Sequence, residues 1–252
     1  MASWIVHLRV AEKILKEVGG LDREQFGLGS VAPDSGIPDE KWENFDPPPE
    51  ILHFQPPEKV PGDGSRRCND LDFYRRHLRG IAWPGDNVDR FSFYLGYFFH
   101  LIIDNLWNKK IGEPTAKLYE TKYKGDYEDE SSFFQKVKGD WYSLDFIHVR
   151  ENPQAFFWKT FLKSEVTASF LDFLPEDALK QRVDYIKTFY QRDDEGVDKL
   201  LDRPFDFLSK ERMDAFVEEA AQTLILIYEL IWLQGEDVSG YESALELLPK
   251  YA

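Results

Sequence analysis

The stretch from Phe91 to Trp107 is apolar or aromatic at almost every position, and it constrains the possible fold more than any other part of the chain. A helix drawn through it is apolar on most sides, which is typical of a helix buried in the middle of a protein. His100 and Asp104 are the two side chains in this stretch that can carry a charge near neutral pH. We therefore predict a central helix over residues 87–108 that buries an imidazole and a carboxyl.

The remaining sequence predicts further helices and almost no strands. Apolar residues recur at helical spacing, and glycine and proline mark the breaks. The proline- and glycine-rich residues at about 38–88 predict a long irregular loop. We expect an all-α fold in which residues 1–252 form a single helical domain, with a metal-ligand half over about 1–150 and a C-terminal helical half over about 151–252. The other predicted helices cover residues 4–18, 22–28, 131–146, 153–173, 175–192, 209–234 and about 240–248.

Composition narrows the classes of function. A formal net charge of −15 argues against a protein that binds duplex nucleic acid, because the phosphate backbone attracts a basic surface. Cys68 is the one cysteine, so neither an internal disulfide nor a cysteine-based zinc site can form. The first twenty residues carry charges within their apolar pattern, unlike a signal peptide, and the longest apolar-rich stretch is too short to span a bilayer. We expect a cytoplasmic protein without stable membrane insertion.

Histidine and aspartate side chains suggest a metal site. On a helix, positions i and i+4 share a face, so His100 and Asp104 can grip one ion, and an ion would offset the cost of burying the carboxyl. His7 lies on the apolar stripe of the first helix, Asp34 lies in a loop, and His53 follows three prolines. Taken alone, His100 and Asp104 could be a hydrogen-bonded pair in the core. His7 could be a core histidine, and Asp34 could be a turn residue. Together they predict a metal site.

Four segments carry these residues in a fixed order. They resemble the zinc-dependent phospholipase C family, which is related to the single-strand nucleases of the S1/P1 type. The resemblance covers roughly residues 4–107, under half of the chain. The segments are Trp4-Ile5-Val6-His7-Leu8, Gly29-Ser30-Val31-Ala32-Pro33-Asp34-Ser35, Ile51-Leu52-His53-Phe54 and Gly96-Tyr97-Phe98-Phe99-His100-Leu101-Ile102-Ile103-Asp104.

The resemblance implies an all-helical fold, a cluster of three zinc ions and the hydrolysis of phosphodiester bonds. It implies that His7 is the histidine ligand of the first helix and that Asp34 and His53 are ligands from loops. His100 and Asp104 would be the ligands of the central helix, with Asp104 as the bridging aspartate.

The sequence departs from the family pattern in two places. The secreted members use an N-terminal tryptophan amine as a ligand, whereas Trp4 is internal here. The family also has two histidines and a glutamate after the bridging aspartate, and His148 is the one later histidine in this chain. We therefore expect one or two zinc ions. Asp145, spaced i, i+3 from His148, is a candidate replacement ligand, and oxygen-rich ligation would favour manganese, iron or magnesium. The alternative is that both lie on a solvated helix face.

The predicted chemistry is hydrolysis of a small phosphate ester or phosphodiester by a metal-activated water. We expect Asp34 to be the catalytic carboxylate that touches the metal and orients the water. Arg75, Arg76 and His77 are candidates for binding the substrate phosphate, since arginine forks match phosphate oxygens. Arg66, Arg67 and Arg79 stand close by in the sequence. The alternative is a basic strip that pairs with some of the 46 acidic residues.

Two other classes of enzyme and a protein without activity are alternatives to this hydrolase. An HD-type phosphohydrolase is also helical, but the adjacent His-Asp pair of that class does not occur here. A di-iron carboxylate oxidase needs two Glu-x-x-His motifs on long helices, and only Glu50 to His53 fits. The alternative that is not an enzyme is a helical scaffold with a residual or structural metal site.

Overall fold

A computed structural model describes residues 1–41, 43–56, 67–83 and 85–251. Helices make up 64% of the protein and strands 2%, which confirms the all-α prediction. The helices are α1 (Trp4–Glu17), α2 (Arg23–Gly29), α3 (Pro49–Leu52), α4 (Asp70–Phe73), α5 (Val88–Trp107), α6 (Glu113–Leu118), α7 (Glu130–Glu151), α8 (Phe156–Lys159), α9 (Glu176–Tyr190), α10 (Glu195–Leu201) and α11 (Lys210–Tyr228).

The predicted central helix is α5, and it is buried along almost its whole length. The helical course does not stop at residue 108 as predicted. A π-helical turn over Asn108–Gly112 leads directly into α6, and a second one follows over Tyr119–Tyr123. Pro114 lies in the first turn of α6, where its missing N–H costs nothing, so it does not break the helical course.

Two glycines let α2 lie directly on α5. A Cβ at Gly96 would stand 2.3 Å from the carbonyl oxygen of Phe26, and one at Gly29 would stand 2.0 Å from that of Phe93. A side chain at either position would push the two helices apart. This close packing brings the end of α2 against the middle of α5, where His100 lies.

The predicted loop over residues 38–88 includes residues 42, 57–66 and 84, which lie outside the described part of the chain, and its described part is more structured than expected. Strand β1 (Ile37–Pro38) pairs with β2 (Phe45–Asp46), α3 follows, and α4 continues as a π-helical turn over Tyr74–Leu78. The prolines misled the prediction, because Pro49 occupies the start of α3, where proline is tolerated.

The helix predicted over residues 153–173 is wrong. Only α8 and a 3₁₀ turn over Phe161–Lys163 form there, and residues 164–171 are not helical. The Tyr94 hydroxyl of α5 donates to the carbonyl of Phe170, whose φ of 56° is incompatible with a continuing helix. A tertiary contact therefore overrides the local apolar pattern. The sequence also missed α10, which begins at an N-capping Asp194.

The core joins the two halves of the chain. One connected cluster of buried side chains runs from Ala2 to Tyr251, and α11 packs against both α1 and α5. A buried carboxylate secures the C-terminal segment: Asp70 accepts hydrogen bonds from Ser243 Oγ (2.6 Å), the Ala244 backbone N–H (2.8 Å) and the Asn105 amide (2.8 Å). Within the described part of the chain, no helix combines the length and apolar character needed to cross a membrane.

Candidate metal centre

The fold brings five of the sequence-predicted ligands to one point. His7 comes from the middle of α1, and Asp34 ends the 3₁₀ turn Ala32–Asp34 that follows α2. His53 caps the C-terminus of α3, while His100 and Asp104 lie one turn apart on α5. All three histidines and Asp104 are buried. These five residues form the His/Asp cluster.

The spacing of the ligand atoms fits a shared metal ion. Asp104 Oδ1 lies 3.5 Å from His7 Nε2, and Asp104 Oδ2 lies 3.4 Å from His100 Nε2 and 3.6 Å from His53 Nε2. His53 Nε2 lies 3.3 Å from Asp34 Oδ1. These gaps exceed the roughly 2.7–3.2 Å of a protein hydrogen bond. Two ligands held tetrahedrally at about 2.0–2.1 Å from one ion would lie about 3.3–3.4 Å apart, close to these values.

Unpartnered polar atoms point to the same conclusion. Among the residues that the structure describes, these buried atoms of the cluster have no hydrogen-bond partner: His7 Nδ1 and Nε2, His53 Nδ1 and Nε2, His100 Nε2, and Asp104 Oδ2. Buried polar groups are hydrogen-bonded almost everywhere in native proteins, so a concentration of exceptions needs an explanation. A cation coordinated by the Nε2 and carboxylate atoms would satisfy most of them.

A backbone contact fixes the orientation of His100. Its Nδ1 lies 2.8 Å from the carbonyl oxygen of Ser30, which only accepts hydrogen bonds. Nδ1 must therefore carry the hydrogen, and in the neutral ring the lone pair of Nε2 faces the cluster. A hydrogen bond of this kind is typical of the second shell of metal-binding histidines. It depends on the close packing of α2 against α5.

The electrostatics keep the two carboxyls ionised. Burial alone would raise the pKa of Asp34, but the neighbouring imidazoles of His53 and His100 outweigh it and hold the pKa at about 2. Burial also opposes ionisation of Asp104, but the positive charge at the amino terminus and at His100 keeps its pKa well below the usual range. The Ala2 backbone N–H donates to Asp104 Oδ1 at 2.8 Å and further stabilises that carboxylate.

The histidines respond to the same surroundings in opposite directions. Burial and the charge of His100 lower the pKa of His7 to about 4, so His7 is neutral at pH 7. Burial would also lower the pKa of His100, but the charges of Asp104 and Asp34 outweigh it and raise the value. A neutral imidazole is the form that binds metals, so His7 is ready to act as a ligand.

Asp145, the predicted replacement ligand, belongs to neither group of candidate metal ligands. Its carboxyl accepts hydrogen bonds from Ser3 Oγ at 2.8 Å and from Tyr190 Oη at 2.6 Å, which occupy both oxygens. Burial raises its pKa to about 7 despite these two bonds. His148 also lies outside the cluster, beside Asn152 near the end of α7. The i, i+3 spacing was correct locally, but the helix directs these groups elsewhere.

The predicted phosphate clamp is engaged in structural contacts. Arg75 donates to the carbonyls of Val238 and Tyr241, and Arg76 pairs with Asp72 one turn away. His77 is half-buried among aromatic rings that include Phe73 and Phe54. Arg67 pairs with Glu242 and Glu246, while Arg66 lies outside the described residues. The alternative of a basic strip that pairs with acidic groups describes these contacts better.

The cluster approaches the surface at Asp34. The side chain of Asp34 is 13% exposed, compared with 0–2% for the other four. Arg182 of α9 lies beside this edge and donates to the Gly36 carbonyl at 2.7 Å. Its guanidinium stands over the rings of Trp4 (5.5 Å) and Tyr185 (5.7 Å).

Arg182 and Tyr142 are residues of this edge that the sequence analysis missed. The available signal was an arginine on the apolar stripe of α9, spaced i, i+4 from both Ala178 and Ile186, which are buried. An arginine at such a position needs a polar environment inside the fold. The guanidinium of Arg182 stands over Tyr185, and Tyr142 packs against Phe189, whose ring stacks on Tyr185. Both side chains therefore belong to the group of rings beside the open edge.

Comparison of the chain with protein-family models, with curated proteins and with solved structures gave no match. The resemblance to the zinc-dependent phospholipase C family therefore stays a prediction.

Proposed function

We propose that the His/Asp cluster binds a divalent metal ion, with zinc preferred, and that the protein is a metal-dependent hydrolase of phosphate esters. One observation carries this proposal: three imidazoles and two carboxylates form two overlapping groups at ligand-to-ligand spacing, and the Nε2 atoms of all three imidazoles are buried without a hydrogen-bond partner, as is Asp104 Oδ2. Three nitrogens and two oxygens suit zinc, and manganese or iron are alternatives. The donor set is too rich in nitrogen for magnesium.

The ligand atoms support a single ion. Two candidate groups can be drawn, His7 with His100 and Asp104, and Asp34 with His53 and His100. His100 belongs to both, yet its Nδ1 is already bonded to Ser30. Only Nε2 remains for a metal, so the two groups cannot each hold a separate ion through His100. We therefore propose one ion that is bound through His100 with the other ligands of one of the two groups, and the remaining side chains line the site.

A bound divalent ion would supply Lewis acidity and lower the pKa of a coordinated water. The protein contributes orientation and charge. Asp34 is the ligand at the exposed edge and is ionised at neutral pH, so it is positioned to accept a proton from an attacking water. Asp104 and the three histidines lie deeper and supply the other candidate ligands. This division of roles distinguishes the hydrolase from a scaffold with a closed structural site.

Elemental analysis of the purified protein tests the metal directly. We expect about one equivalent in the wild type and almost none in His100→Ala, because His100 belongs to both candidate groups. His148→Ala removes a histidine outside the cluster and should keep the metal. Hydrolysis of p-nitrophenyl phosphate and bis-p-nitrophenyl phosphate is then measured on the metal-loaded proteins.

The possible results distinguish a metal-dependent hydrolase, a scaffold with a metal site and a protein that binds no metal. Metal and hydrolysis that are both lost in His100→Ala support the proposal. Metal without hydrolysis of either ester supports the scaffold instead. A wild-type protein that holds no metal after reconstitution would overturn both.

A further inference from the structure

The strongest further feature is the open edge of the cluster, where α9 and α7 face the turn that carries Asp34. Helix α9 packs against both the 3₁₀ turn Ala32–Asp34 and β1. Arg182 projects from α9 and is buried. Its guanidinium donates to the carbonyl of Gly36, which lies two residues after Asp34 in the sequence. The cation is thus built into the structure beside the one ligand that reaches the surface.

Two aromatic rings hold the guanidinium in place. Trp4 and Tyr185 lie 5.5 and 5.7 Å from it, and they pack edge to face against each other at 5.8 Å. Tyr185 is 39% exposed, so this group of rings continues to the surface. Such packing restricts the rotamers of a long side chain, which lowers the entropy lost when the guanidinium binds a ligand.

Tyr142 of α7 joins the same group of rings, because its ring packs against Phe189 (5.8 Å between centroids) and Phe189 stacks on Tyr185 (5.8 Å). Tyr142 also carries a hydroxyl. Burial, with the charges of Asp145 and Asp34, raises its pKa to about 12, so the hydroxyl keeps its proton at neutral pH and can donate a hydrogen bond. The positive charge of Arg182 acts on this group in the opposite direction. The two side chains come from different helices, and the rings of Tyr185 and Phe189 connect them.

The charge of the edge indicates which ligands fit. The carboxylates of Asp34 and Asp104 would be balanced by one divalent ion, and Arg182 then adds a positive charge at the opening. The positive charge at the opening of the site contrasts with the net charge of −15 on the whole chain. An anion that approaches the metal would meet the phenol of Tyr142 and a guanidinium that its bond to Gly36 and the two rings hold in position. A guanidinium has five N–H groups and pairs well with the oxygens of a phosphate.

We propose that Arg182 and Tyr142 form the phosphate-binding side of this site and select substrates that carry an anionic phosphate group. This inference rests on the proposed function, because it assigns the groups that hold the substrate of that same centre. It assigns to Arg182 and Tyr142 the role predicted for Arg75, Arg76 and His77, because Arg182 contacts the segment that follows Asp34. Arg182 binds the phosphate of the substrate, and Asp34 accepts the proton of the attacking water.

The test is a calorimetric titration of inorganic phosphate into metal-loaded protein, with the metal content of every sample measured first. We expect Arg182→Gln to weaken phosphate binding at least about tenfold, in line with the loss of one charge-assisted pair. Arg182→Lys should recover only part of the affinity, since a point charge lacks the fork. Tyr142→Phe should weaken binding about threefold or more, and Arg192→Gln, an exposed residue paired with Asp194, should bind as the wild type does.

Each result counts for or against the assignment. Wild-type phosphate affinity in both Arg182→Gln and Tyr142→Phe, with metal retained, would overturn it and leave the metal site standing. If Arg182→Gln loses metal because the turn at Gly36 moves, the phosphate affinities of Arg182→Lys and Tyr142→Phe are used instead. Wild-type affinity in both of these variants would overturn the assignment. A wild-type protein without metal would instead refute the proposed function, and loss of phosphate binding by Arg182→Gln in that metal-free protein would still support the anion site.

Discussion

The imidazole rings of His7 and His100 lie face to face, with centroids 3.8 Å apart and planes only 4° from parallel. Two protonated rings could not be held this way without strong repulsion, so at most one carries a charge. The lowered pKa of His7 and the raised pKa of His100 describe the same asymmetry. A cation coordinated by the Nε2 atoms of both rings would hold both rings neutral at this separation.

Removal of the metal should lower thermal stability. The unpartnered atoms of the cluster lose their one compensating contact, and a ligand present at about 100 times its Kd contributes about 2.7 kcal/mol. For a chain of this size, we expect a strong chelator to lower Tm by about 5–10 °C. Differential scanning calorimetry with and without chelator measures this, and His100→Ala serves as an insensitive control. An unchanged Tm after verified metal loss would contradict the role of the ion in stability.

Asp34→Asn should separate catalysis from metal binding. The amide keeps the size of the side chain but cannot accept a proton, so we expect hydrolysis of p-nitrophenyl phosphate to fall at least about 100-fold. His7, His53, His100 and Asp104 should retain most of the metal. Asp39→Asn removes an exposed carboxylate that hydrogen-bonds within its own loop, and it should keep its activity. Full activity of Asp34→Asn would rule out the assigned role.

Gly96→Ala should disturb both the fold and the cluster. The added methyl would collide with the Phe26 carbonyl at 2.3 Å, which pushes α2 from α5 and moves the Ser30 carbonyl away from His100. We expect a loss of about 1–3 kcal/mol in the free energy of unfolding by urea, together with weaker zinc binding. Gly19→Ala is the matched control, because a Cβ there meets nothing within 4 Å. Equal stability of the two variants would show that the helices can separate at little cost.

The stability difference between wild type and Asp145→Asn should depend on pH. The folded-state pKa of Asp145 is raised to about 7 from an ordinary value of 3.8, so the folded protein holds a proton that the unfolded chain releases. The stabilisation from this group is complete below about pH 4 and is lost as the pH rises through about 7. Asparagine carries no titrating proton and can bond to both hydroxyls. Relative to wild type, Asp145→Asn should therefore gain stability between pH 5 and pH 8.

We expect that relative gain to exceed about 1 kcal/mol, since one pKa unit corresponds to about 1.4 kcal/mol. Urea unfolding of both proteins across this pH range measures it. The comparison cancels the titration of Asp70, whose pKa is raised to about 6, and of the histidines, because these groups occur in both proteins. A constant difference across the range would mean that Asp145 ionises normally in the folded state.

Local periodicity accounts for the parts of the fold that the sequence analysis predicted correctly. Helices α1, α2, α9 and α11 begin close to the predicted positions, and the side chains of Asp22 and Ser209 cap α2 and α11. Periodicity predicted a helix over residues 153–173 wrongly, because a contact with α5 determines the backbone conformation there. It also missed α10 and α6, which are short and lack a long apolar stripe.

The sequence by itself determined that the chain is helical, that α5 is its buried centre and that His100 and Asp104 share one face of it. These features depend on neighbours within one or two turns, whose geometry the helix fixes. Only the tertiary structure decided which distant groups join that pair. It placed His7, Asp34 and His53 around Asp104, directed Asp145 toward Ser3 and Tyr190, and brought Arg182 to the open edge. Such encounters depend on how the helices pack and where the turns end, and no local pattern encodes either.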